Sequence, residues 1–122
     1  MAGRVRFLPE VDDETLLSLY ADARLVAVTA AGEDLGYVPL EAFLSGKPVL
    51  TTEDAGGPLE FVRDGVTGIV TAPRPDALGV ALRLAWPRSE ALQAMGEAGR
   101  ARAASLDWDR PVAALLSAAG IA

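Results

Sequence analysis

Two glutamates, Glu33 and Glu41, stand eight positions apart in the stretch GEDLGYVPLEAFLSGKPVLTT, residues 32–52. Ionised carboxylates only accept hydrogen bonds, so a converging pair is suited to gripping hydroxyl groups. Glu41 falls near the third position of a short helix, where the helix dipole favours a carboxylate by roughly 0.3–1 kcal/mol. Helix capping therefore accounts for one glutamate. It does not account for a second in the preceding loop, followed by Gly36 and then Pro39. Gly36-Tyr37-Val38 leads into the helix, whose first N–H groups have no partner inside it. Such an end attracts anions, and a glycine there lets one approach closely. Gly56-Gly57 repeats the pattern before the next element; both glycine sites also read as tight turns.

What is absent narrows the chemistry. The chain has no His and no Cys, which removes Ser-His triads, thiol nucleophiles and the usual zinc sites. Any acid or base must be Asp, Glu, Tyr or Lys. There is no G-x-G-x-x-G and no Walker A loop, since Gly46-Lys47 runs into Pro48. Lys47 reads as a cation at the end of a helix. The net charge of −6, with one lysine and ten arginines spread along the chain, is a poor footprint for nucleic acid. Arg4 and Arg6 read as solvated charges on a strand.

The elements that must carry these residues alternate. The 122 residues, 51% hydrophobic, suffice for one domain with a core. No apolar run approaches the ~20 residues of a membrane span. The N-terminal residues lack a signal-peptide stretch, so a cytoplasmic location is the expectation. Val5–Pro9 predicts a strand. Asp12 or Asp13 then caps a helix with Leu16, Leu17, Tyr20 and Ala21 as its apolar stripe. A strand over 24–30, a helix over 38–46, a strand over 47–52, a helix over 58–65 and a strand over 67–72 follow. Helices over 75–86, 89–106 and 107–120 complete the chain. Strands separated by helices imply an α/β fold with a parallel sheet and right-handed crossovers. Ligands of such sheets sit beyond the carboxyl ends of the strands, where residues 29–36 and 52–57 lie. Trp86 and Trp108 read as core or interface anchors.

The stretch resembles the Glu-x7-Glu signature of the retaining glycosyltransferases with a GT-B fold, the group 1 (family 4) class. The resemblance rests on Glu33, Gly36, Glu41-Ala42 and Gly46-Lys47-Pro48-Val49. It continues through Gly56-Gly57, Glu60 and VRDGVTGIV, and upstream through VRFLPEVDDETLLSLYADA, about two-thirds of the chain. It implies a partial Rossmann-like C-terminal domain over 1–122, binding a nucleotide-diphosphate sugar as donor without cofactor or metal. Glu41 would hold the ribose hydroxyls. Glu33, the candidate catalytic residue, would hold the transferred sugar. Gly36, Tyr37 and Val38 would face the sugar and diphosphate, Leu40 would pack beside ribose or base, and Phe7, Leu8 and Pro9 would lie near the base. Leu40 reads equally as a core leucine. The aromatic that usually precedes the motif glycine is Leu35 here, with Tyr37 on the other side.

The same resemblance places the diphosphate-binding Arg and Lys, and an N-terminal domain with the acceptor site, outside this chain. The expectation is a donor-binding portion without turnover of its own. A homodimer through an exposed edge strand, Val5–Pro9 or the one on the other side of the strand order, is a further expectation, and peripheral membrane contact of the parent stays open. The alternation of elements also suits a non-catalytic flavodoxin-like or receiver-like module, although Lys47 is misplaced for a receiver. A structural piece without a ligand is the third reading.

Overall fold

Asp12 opens the first helix by accepting a hydrogen bond from the Thr15 amide at 2.8 Å. Hydrogen bonding from Thr15, by its side chain first and then its amide, holds the Asp12 carboxyl below the usual aspartate range. In the computed structural model, which describes residues 4–107 and 109–121, helix α1 runs Asp13–Asp22. Strand β1, Val26–Val28, follows, then helix α2, Val38–Leu44, and strand β2, Val49–Thr52. A single 3-10 turn spans Gly57–Glu60 before strand β3, Gly68–Thr71. Helices α3, Pro75–Ala85, α4, Ser89–Ala104, and α5, Asp109–Ala118, end the chain.

The three strands are parallel in the order β1-β2-β3, with Val26 beside Val49 and Val49 beside Gly68. β2 is central and buried at every residue, which is why VLTT carries no charge. The core lies between the sheet and the α2 and α4 helices. Phe43 is wholly buried there with Val28, Ala42, Val49, Val62 and Ala103. α4 can come this close because Gly96 and Gly99 face α2 and the turn after it. A Cβ on Gly96 would overlap the Gly46 carbonyl, and one on Gly99 the Phe43 ring.

Three expectations change. Val5–Pro9 is not a strand: its residues are exposed and unpaired, with Phe7 90% exposed. Among the described residues β1 has only β2 as a neighbour, and apolar sequence makes no strand without a ladder to join. The edge on that side of the sheet is therefore Val26–Val28, and the dimer expected through Val5–Pro9 loses its strand. The helix over 58–65 is cut to the 3-10 turn. The Thr67 hydroxyl takes the Arg63 amide at 2.8 Å and donates to the Phe61 carbonyl at 3.2 Å, while Asp64 takes the Val70 amide at 2.9 Å. These bonds divert the backbone groups a longer helix would use. Trp86, finally, is 63% exposed, which removes the core alternative of its reading and leaves the interface one. Its ring lies 4.6 Å from the Arg24 guanidinium carbon, and Arg24 also donates to its carbonyl at 2.8 Å. Trp108 lies outside the described residues.

Candidate functional site at the N-terminal end of the second helix

Beyond Val28 the chain leaves the sheet and runs back along residues 53–57. The Gly32 amide donates to the Asp54 carbonyl at 2.8 Å, the Glu33 amide to Ala55 at 2.9 Å, and the Gly57 amide to Glu33 at 2.6 Å. Glu33 and Gly56 form a parallel bridge. This stitching explains Gly56-Gly57. A Cβ on Gly57 would overlap the Asp34 carbonyl, and one on Gly56 would stand 2.6 Å from the Glu33 carbonyl oxygen. The two glycines are thus a seat for the backbone that carries the first glutamate.

Gly36 completes the loop with φ +70°, a conformation side chains rarely adopt. A Cβ there would stand 3.3 Å from Pro58 Cγ and 3.4 Å from Glu33 Cδ. The Glu33 carboxyl group therefore lies against Gly36, at the entrance to α2. Glu41 occupies the first turn of that helix and is exposed, while Glu33 is half-buried. Tyr37, in the N-cap position, provides no side-chain cap and is exposed, as is Val38. Leu40 is half-buried. Phe7, Leu8 and Pro9 are exposed in an irregular segment. The ion pair found among the described residues joins Arg74 to Asp76, so neither glutamate is taken up by a basic side chain.

Glu41 has a partner that sequence reasoning assigned elsewhere. The Tyr20 hydroxyl donates to Glu41 Oε2 at 2.8 Å. Burial, together with the neighbouring Glu41 carboxylate, pushes the Tyr20 phenol up to about 12. Tyr20 sits in the apolar stripe of α1 and packs on the core, which is all that its spacing announces. A phenol at the inner edge of such a stripe is the sequence signal, since a buried Tyr hydroxyl usually finds a partner.

Lys47 is engaged by α1. Its ammonium donates to the Ala21 carbonyl at 2.8 Å, so it caps the last turn of α1 rather than the helix it follows. A cavity of about 540 Å³ lies between β3, α3 and α4, walled by Ile69, Val80, Leu84 and Leu92 among others. None of the candidate residues lines it. Of the two glutamates, Glu41 lines a smaller cavity of about 370 Å³ with Leu16, Leu17 and Tyr20 among others. Among the described residues there is no cluster of three or more metal-ligating side chains. Among them, too, no helix is long and apolar enough to cross a membrane.

In an open parallel α/β sheet, ligands bind beyond the carboxyl ends of the strands, and the loop that carries Glu33 leaves the sheet at such an end. The sequence matches the family described as Glycosyl transferases group 1 over residues 1–102, and the chain belongs to that family. It is 40% identical over 122 residues to a D-inositol 3-phosphate glycosyltransferase of Mycobacterium avium, covering 96% of this chain and 28% of that protein. A protein of the same description from Nocardia farcinica is 40% identical over 121 residues, covering 95% and 26%. Among solved structures, a sucrose-phosphate synthase from Thermosynechococcus elongatus superposes with a TM-score of 0.82. It shares 28% identity, over 97% of this chain and 31% of that one. Anabaena HepE in complex with UDP and glucose gives a TM-score of 0.81 and 32% identity, over 96% and 33%. The fold is that of a GT-B glycosyltransferase C-terminal domain. The chain spans between a quarter and a third of the length of these relatives. The flavodoxin-like and receiver-like readings give way to this membership.

Proposed function

We propose that this chain is the donor-binding portion of a glycosyltransferase that moves a sugar from a nucleotide diphosphate to an acceptor with retention of anomeric configuration. The observation that carries the reading is the placement of Glu33 against Gly36 at the mouth of α2, with Glu41 on that helix's first turn. Glu41 accepts hydrogen bonds from the ribose hydroxyls and Glu33 from hydroxyls of the transferred sugar. Backbone amides around Gly36, Tyr37 and Val38 face the sugar and diphosphate. Leu40 and the exposed Phe7–Pro9 segment contact ribose and base. In the reaction the bond from the anomeric carbon to the diphosphate oxygen breaks, and one to an acceptor oxygen forms on the same face. Positive charge must stabilise the departing diphosphate. We assign that charge, with the acceptor site, to the part of the relatives that this chain does not span. Alone, the chain binds donor without turnover and needs no metal. The likeness to HepE, solved with UDP and glucose, supports a nucleotide sugar as the ligand class.

The test is a titration of the isotope-labelled chain with UDP, GDP and ADP, followed by NMR. Shifts gathered at residues 7–9, 33–41 and 56–60 are expected for one of the bases. The dissociation constant should lie near or above ~1 mM, about −4 kcal/mol, for an incomplete cleft. A folded chain that shows no shift with any of the three overturns the proposal.

A further inference from the structure

Tyr20 and Glu41 lie twenty-one residues apart on different helices, yet their side chains meet at 2.8 Å. Tyr20 is half-buried, and its ring rests on the core cluster that contains Val28, Ala42 and Phe43. Packing, not the carboxylate, therefore fixes where the hydroxyl stands. Glu41 is exposed, and an exposed glutamate samples several rotamers when nothing holds it. A cavity of about 370 Å³, lined by Leu16, Leu17, Tyr20, Glu41 and Leu44 among others, opens beside the pair. The carboxylate thus stands between a fixed donor and open space. A carboxylate has two oxygens with about four acceptor directions, and the tyrosine occupies one of them.

We propose that Tyr20 is a positioning residue for donor binding. It clamps Glu41 through Oε2 and leaves the rest of the carboxylate presented to the vicinal hydroxyls of a ribose. The inference rests on the reading of Glu41 given above and adds a residue to it. Ordering the acceptor before the ligand arrives removes a cost that binding would otherwise bear. Tyr20 makes no contact with the ligand itself.

The test compares the native chain with Tyr20→Phe, Glu41→Gln and the double variant. Each is titrated with UDP and with 2′,3′-dideoxy-UDP, which lacks both hydroxyls. Phenylalanine keeps the packed ring, so the variant folds, which a thermal melt verifies. Tyr20→Phe should weaken UDP about 3- to 10-fold and leave dideoxy-UDP unchanged. It should add nothing once Glu41 is glutamine. In the ligand-free chain, side-chain couplings of Glu41 should pass from one rotamer to an average. If Glu41→Gln weakens UDP but Tyr20→Phe does not, the positioning role is overturned and the reading of Glu41 stands. Equal weakening of both ligands by Tyr20→Phe also overturns it, as a general structural effect. If the native chain binds GDP or ADP in place of UDP, the same comparison is made with that nucleotide and its dideoxy form; if it binds none of the three, or Glu41→Gln binds as the native chain does, both fall.

Discussion

The two ends of α2 carry equally distinctive residues and use them in opposite ways. At its C-terminal end, Gly46-Lys47-Pro48 is consumed by the fold. The Gly46 amide donates to Phe43 at 2.8 Å, the Lys47 amide to Ala42 at 2.8 Å, and the Lys47 ammonium to Ala21. Gly96 of α4 presses on the Gly46 carbonyl, and Pro48 is buried. At the N-terminal end the loop backbone is just as tightly bound, but of the two carboxylates only Glu41 has a side-chain hydrogen bond among the described residues, from Tyr20. Tyr37 offers no cap, and neither glutamate has a cationic partner among the described residues. A motif residue bonded to the backbone of a neighbouring helix, as Lys47 is, is explained by folding. Carboxylates with spare acceptors are the groups to which the proposal above gives a ligand. The same helix supplies both cases.

The largest expected break in this contrast comes from the seat of the loop. Gly57→Ala must push the Asp34 carbonyl away. Overpacking of this kind costs about 1–3 kcal/mol, and here it also moves Glu33. Urea denaturation should show that loss, and the titration should show no remaining nucleotide shifts at residues 33–41. Gly79→Ala is the control. Gly79 lies inside α3 with nothing within 4 Å of the added carbon, so the chain should gain about 0.5–1 kcal/mol and bind as before. A stable Gly57→Ala chain with normal binding would remove the seat from the account.

A smaller effect separates the two ends directly. Glu41→Gln removes charged acceptors from ligand hydroxyls, and hydrogen bonds to charged groups contribute about 1.5–3 kcal/mol. Affinity should fall roughly 10- to 100-fold with stability within about 1 kcal/mol of native. Lys47→Met should do the reverse. It loses a helix C-terminal cation, at about 0.3–1 kcal/mol, and leaves nucleotide affinity intact. Paired melts and titrations of the two variants decide the matter. A Lys47→Met chain that loses affinity would place that end of the helix in the site.

Much of this could be read before any coordinates. Asp12, the acids after it and the apolar stripe announced α1. The apolar runs over 24–30 and 47–52 announced parallel strands, and the crossovers followed from alternation; burial holds throughout β2, while β1, at the edge, leaves Ala27 exposed. The location of the glutamates at a strand's carboxyl end followed as well. What was not legible depends on partners distant in sequence. Val5–Pro9 has strand composition but no neighbour to pair with, and composition does not record neighbours. Residues 58–65 have helical spacing, yet the Thr67 hydroxyl bonds the Arg63 amide and the Phe61 carbonyl from beyond the segment. Tyr20 looked apolar because its ring is; its hydroxyl acquires meaning only when α2 lies beside α1. Gly56-Gly57 looked like a turn, since the chain pressing on it arrives from twenty residues upstream.

The smallest expected effect sharpens the contrast from the side of pH. The Tyr20 phenol is raised from 10.0 to about 12, first by burial and then by the Glu41 carboxylate. A folded-state value above the unfolded one means that the unfolded chain releases its proton first. The stabilisation is then fully present below pH 10 and is lost as pH rises through about 12. Denaturation midpoints measured from pH 9 to 12 should therefore decline in the native chain more steeply than in Tyr20→Phe. Because Tyr20 is only partly buried, solvent screens the interaction and the difference should be modest. Glu41→Gln should flatten the decline only in part, since burial remains the larger cause. A Tyr20→Phe chain with the native slope would mean that the phenol gives up its proton as readily in the folded chain as in the unfolded one. The hydrogen bond would then be too weak to hold the carboxylate in place.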